Sequence, residues 1–227
     1  MGWVQRYYRE NAEKSSPPMA SSFARLTEEE LETHLGITRY GNFTLTAAIR
    51  PSYDLQVIPS EGYRKDLFRD ERGGQIPVIM AAVSEERLFD VFLDLIDPLG
   101  TVVDVVLETS HSHPQGGHED LYREQIDMPV LKSVLIEFED LLLNDGCTGV
   151  AVINPRKPAE VQFDEHKLLV VYAHEITPFE KILRDHGIRL NPSMRFITEA
   201  EHVHTSSEAY ENLFDQLCTR LGVDRRY

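Results

Sequence analysis

The chain has 227 residues, 41% of them hydrophobic, so it can bury a full-sized core without metals or disulfides to staple it. Lysine and arginine number 23 against 38 aspartate and glutamate, a formal charge of −15, and such a surface repels a phosphate backbone, which argues against nucleic acid as a partner. Two cysteines, Cys147 and Cys218, make no disulfide framework and are expected as buried thiols. No secretory apolar region opens the chain and no run of about 18 apolar residues is present, so a cytoplasmic protein with no membrane partner is expected.

Trp3, Val4, Tyr7 and Tyr8 share one helical face of the first segment, and the serine- and proline-rich stretch that follows reads as a linker. Residues 1–22 are therefore expected to be an N-terminal arm and linker, and residues 23–227 a single globular domain. Thr27-Glu28-Glu29-Glu30 is a capping box that opens a helix closed by Gly36. Alternation over 43–49 and again over 53–57 predicts two half-buried antiparallel strands.

After a charged stretch, 64–72, the apolar run 76–83 predicts a strand buried on both faces. From Ser84 the period becomes helical, with Leu88, Phe89, Phe92, Leu95 and Ile96 on one face, and a strand over 101–107 follows. Strand, helix and strand in about thirty residues is the spacing of a right-handed crossover between parallel strands. One core helix is expected over 129–144, then strands over 150–153, 160–163 and 168–173. Thr177-Pro178-Phe179-Glu180 is a second capping box, opening a helix to Gly187; a short strand at 194–197 and a helix over 206–221 complete the chain. The expected fold class is α/β, mixed α+β: a mixed, partly parallel sheet of about six to seven strands covered by helices.

Two stretches read E-x-x-H-x-H: Glu108 to His113 and Glu199 to His204. Each lies some thirty residues after an apolar strand and a helix, so 76–113 and 167–204 are a candidate internal strand–helix–strand duplication. Histidines two apart on an extended segment share a face, so His111 and His113 suit one divalent metal such as zinc, with Glu108, His118, Glu119 or Asp120 as further ligands. His202 and His204 form the equivalent pair and are candidate ligands of the same ion. His111-Ser112-His113-Pro114 also resembles the H-S-H-P stretch of the JAMM-type metalloproteases. That resemblance covers four residues; where the family continues with a serine and then an aspartate, this chain has Leu121 and Glu124, and membership is not assigned.

No glycine-rich phosphate cradle, serine-nucleophile elbow, H-E-x-x-H or C-x-x-C is present. The first functional expectation is therefore a non-catalytic interaction or regulatory domain that forms homo-oligomers or meets a protein partner through the aromatic arm. The alternative is a metal-dependent hydrolase or other metalloenzyme using the His111/His113 loop.

Overall fold

The Thr27 hydroxyl accepts from the Glu30 amide at 3.2 Å while Glu30 Oε2 accepts from the Thr27 amide at 2.8 Å, so helix α1 (Glu28–Leu35) starts where the capping box predicts. The structure, a computed structural model, describes residues 21–69, 74–111 and 117–223. The aromatic arm, with Trp3, Tyr7 and Tyr8, lies outside the described residues. After α1 come the short ribbon β1 (Arg39–Tyr40) and β2 (Phe43–Thr44), then β3 (Ile49–Pro51). Residues 53–57 form no strand, contrary to their alternation. Ser52 Oγ accepts from the Gln56 amide at 3.0 Å and Leu55 sits at φ +50°, so side-chain-to-backbone turn bonds override the pattern.

Seven strands make the main sheet: β4 (Gly62–Arg69), β5 (Gln75–Ala82), β6 (Val102–Thr109), β7 (Glu119–Asp127), β8 (Thr148–Ile153), β9 (Ala159–Phe163) and β10 (Leu168–Ala173). Their order is β4-β5-β10-β9-β8-β6-β7, and each neighbouring pair is antiparallel. The expected partly parallel sheet is thus corrected to an all-antiparallel one. The crossover does join strands of the same direction, because four antiparallel steps separate β5 from β6. Three strands stand between them, however, placed there by tight local hairpins whose pairing outcompetes the crossover.

Among the described residues there are six α-helices; after α1 these are α2 (Glu85–Leu95), α3 (Met128–Glu137), α4 (Glu139–Asn144), α5 (Thr177–Asp185) and α6 (Glu208–Leu221). The single helix expected over 129–144 breaks at Phe138, whose φ −112° and ψ 24° lie outside the helical region. The capping box at Thr177 does not form, because the Glu175 carboxylate takes the Thr177 amide at 2.9 Å and Ile176 becomes the cap. No strand forms at 194–197; a 3-10 turn, Ile197–Glu199, leads to β11 (His202–His204). β11 pairs with β3, outside the main sheet, whereas β6 lies within it. The two E-x-x-H-x-H stretches therefore occupy unlike elements, and the expected duplication is not what the fold builds.

Period-two alternation sorts the sheet into two faces. Ile79, Ala81, Leu169, Val171, Val161, Phe163, Val150 and Leu107 join one cluster with Leu88 and Phe92 of α2, Leu131 of α3, Phe179 of α5 and Phe214 of α6. On the opposite face, Val78, Met80, Leu168, Val170 and Tyr172 of β5 and β10 pack beneath Phe43, Ile49, Met194, Phe196 and Ile197. On β9 and at the end of β6 that second face carries polar side chains: Glu160 and Gln162 of β9 are cross-strand from Tyr172 and Val170, and Glu108 of β6 is cross-strand from Asp120 of β7. Phe163, 1% exposed, stands 5.2 Å from Phe92 between sheet and helices. Phe163→Ala is expected to destabilise the protein by about 3–5 kcal/mol, read from urea denaturation midpoints, because it opens a cavity at the centre of the helical layer.

Candidate metal centre

The hairpin joining β9 to β10 is closed by Asp164. Its amide and carbonyl exchange bonds with Leu168 and Lys167, and its Oδ1 accepts from the Leu168 amide at 2.8 Å. Lys167 takes the left-handed position of this turn at φ +60°, and its ammonium donates to Thr148 O at 2.9 Å. The result places His166 at the hairpin tip.

His202 and His204 arrive from β11. Residues two apart on a strand share a face, and pairing with Pro51 and Ile49 of β3 fixes which face that is. β3 is itself anchored from below: buried Arg50 donates to Leu35 O at 2.7 Å and Ile49 O at 2.7 Å, and His34 Nε2 meets Pro51 O at 2.8 Å. A further anchor is Gly146. Its amide donates to Thr205 O at 2.8 Å, and a Cβ at this position would lie 2.5 Å from Ala48 O and 2.9 Å from Thr205 O. Only glycine permits that approach.

The three rings form a nearly equilateral triangle, with centroids 5.0 Å apart for His166 and His202, 4.8 Å for His166 and His204, and 5.1 Å for His202 and His204. One ligand-capable atom from each lies within 4.8 Å of the others. Each ring is pinned through Nδ1: His202 to Ala200 O at 2.8 Å, His204 to Gly146 O at 2.6 Å and His166 to Asp164 Oδ2 at 3.1 Å. A carbonyl only accepts, so His202 and His204 carry their proton on Nδ1 and keep the Nε2 lone pair for a ligand. An ion bound at about 2.0–2.1 Å by three tetrahedrally disposed imidazoles sets their centroids about 5.2 Å apart, close to the triangle seen.

Burial, followed by the charge on His166, pushes His202 and His204 down to about 4, which holds both neutral at physiological pH. Burial opposes a charge on His166 too, but the Asp164 carboxylate outweighs it and the net shift is upward. Asp164 moves down for the reciprocal reason, the neighbouring His166 overcoming the cost of burial.

Of the residues expected from sequence, His202 and His204 come together, and their third partner, His166, is one that sequence reading missed. Its only signal is the turn Asp164-Glu165-His166 between two apolar strands. His111 joins a different group, 3.2 Å from Asp145 Oδ2. His118 lies 3.6 Å from Glu165 Oε1, and Glu108 and Asp120 oppose each other across β6 and β7. His113, with the rest of the H-S-H-P stretch after His111, lies outside the described residues. Cys218 is buried and Cys147 half-buried, both free thiols, and no described helix is long and apolar enough to cross a membrane.

No family model matches this chain, and neither a curated protein nor a solved structure matches it.

Glu108 stands over Gly149, where a Cβ would come within 3.4 Å of its Oε2. Burial, then the charges of Asp120, Asp164, Glu160 and Glu165, pushes its carboxyl up to about 8. Between its ordinary value of 4.5 and 8 the folded chain holds a proton that the unfolded chain lacks, so stability falls as pH rises through that window. Glu108→Gln mimics the protonated form. In EDTA-treated protein it is expected to raise the melting temperature at pH 8 and leave it near wild type at pH 4.5; a difference independent of pH would refute the assignment.

Proposed function

We propose that the protein is a metalloprotein in which His166, His202 and His204 hold one divalent ion such as zinc, and that this centre serves hydrolysis. The observation that carries the reading is the triangle of rings, each fixed through Nδ1 by an oxygen acceptor. Holding imidazole through its distal nitrogen is how proteins orient a metal ligand and raise its basicity. Neutral nitrogen donors favour zinc over magnesium or calcium, and three protein ligands keep a fourth position for water, whose pKa such an ion lowers to about 7.

Phe43, Leu45, Ala82, Met194 and Phe196 wall a small apolar pocket of about 20 Å³, room for about one water, that reaches His166 and Lys167. Burial lowers the Lys167 pKa to about 8. Self-association through Trp3, Tyr7 and Tyr8 is a separate proposal that neither requires nor opposes this one.

His166→Ala, His202→Ala and His204→Ala are each expected to abolish one equivalent of tightly bound zinc in calorimetric titrations, and Asp164→Asn to weaken it by about 10–100-fold. Far-UV circular dichroism confirms that each variant is folded. Unchanged zinc affinity in all three histidine variants would end the reading. Hydrolysis of p-nitrophenyl acetate is expected to follow zinc loading and to be lost in His204→Ala.

A further inference from the structure

The turn from α4 to β8 carries Asp145, Gly146 and Cys147. Asp145 is fully buried; its Oδ2 accepts from Thr148 Oγ1 at 2.5 Å and lies 3.2 Å from His111 Nε2. Its Oδ1 is, with Tyr40 Oη, one of two buried side-chain polar atoms among the described residues that have no hydrogen-bond partner. A buried carboxylate oxygen without a donor is costly, and native proteins retain such atoms where an ion or a reaction uses them.

His111 is equally well placed. Thr109 Oγ1 meets its Nδ1 at 2.7 Å, its ring lies 5.8 Å from Phe214, and its side chain is 5% exposed. Ser206 Oγ stands 3.2 Å from Nε2. Ligand-capable atoms of His111, Asp145 and Cys147 all fall within 4.8 Å of one another. An imidazole, a carboxylate and a thiol are a donor set for zinc or cobalt, whereas magnesium and calcium take oxygen alone.

We propose that His111, Asp145 and Cys147 form a second site for a thiophilic divalent ion, zinc in the first instance, distinct from the three-histidine centre. The two are neighbours through one peptide: Gly146, between Asp145 and Cys147, accepts the His204 Nδ1 proton on its carbonyl. Binding releases the Cys147 thiol proton to solvent as the sulfur–metal bond forms, and Thr109 holds the distal nitrogen of His111.

Cobalt(II) titration of the EDTA-stripped full-length protein tests this with a readout independent of activity. The expected result is two equivalents bound, with a thiolate-to-cobalt charge-transfer band in the near ultraviolet. Cys147→Ser is expected to lose the band and bind one equivalent, which also shows that the variant is folded. His204→Ala is expected to lose one equivalent and keep the band. A wild-type titration with no band, or a band that survives Cys147→Ser, overturns the second site. A single equivalent with the band supports the second site and counts against the three-histidine centre; a single equivalent without it does the reverse.

Discussion

At Gly146 two strands of chain approach so closely that no side chain fits between them, since a Cβ there would sit 2.5 Å from Ala48 O. Thr205 is held on both sides of this contact, its carbonyl by the Gly146 amide and its amide by Ala48 O, each at 2.8 Å. The consequence is that residues 48, 146 and 205, remote in sequence, share one backbone junction. β11 is thereby docked on β3, His204 finds its acceptor, and Asp145 and Cys147 are left flanking the junction beside His111. The polar chemistry of the molecule is arranged around that single steric requirement.

The sheet explains where that chemistry ends up. One of its faces is apolar through the central strands under the helices, and it supplies most of the buried apolar core. The hydrophobic cluster on its other face draws on β5 and β10, with Phe68 from β4. On β9, in the turn after it and on β6, Glu160, Gln162, Asp164 and Glu108 occupy positions that apolar side chains would fill at lower cost, and burial raises the carboxyls of Glu160 and Glu108. A protein selected for stability alone would not carry this many buried ionisable groups. Asp164 and Gln162 stand at the hairpin end of β9 that carries His166, and Glu108 lies beside Gly149 near the same end, whereas Glu160 sits at the far end of β9.

Sequence patterning found the interior and missed the margins. β5, β6, β8, β9 and β10 are apolar enough to be legible, and helices α1, α2 and α6 announce themselves by caps and stripes. Within the main sheet the two strands that escaped, β4 and β7, are its two edges; outside it the short β1 and β11 escaped as well. Lys65 and Asp66 in one and Arg123 and Glu124 in the other are exposed, as edge strands commonly are to discourage intermolecular pairing, so charge hid their alternation. Strand neighbours were equally hidden, because spacing within one crossover says nothing about hairpins inserted later. The paired histidines were visible as ligand-type residues, but not their partners: His166 is set by a hairpin turn, and Asp145 and Cys147 by the Gly146 contact, and both are tertiary facts.

Backbone carbonyls hold His202 and His204 as neutral rings with Nδ1 protonated, leaving Nε2 for an ion. Long-range proton–nitrogen NMR correlations on isotope-labelled, metal-free protein report the tautomer of each histidine directly. Both residues are expected in the Nδ1–H form from pH 8 down to about 5, since burial holds their pKa near 4. Finding either ring as the Nε2–H tautomer, or protonated at pH 6, would contradict it.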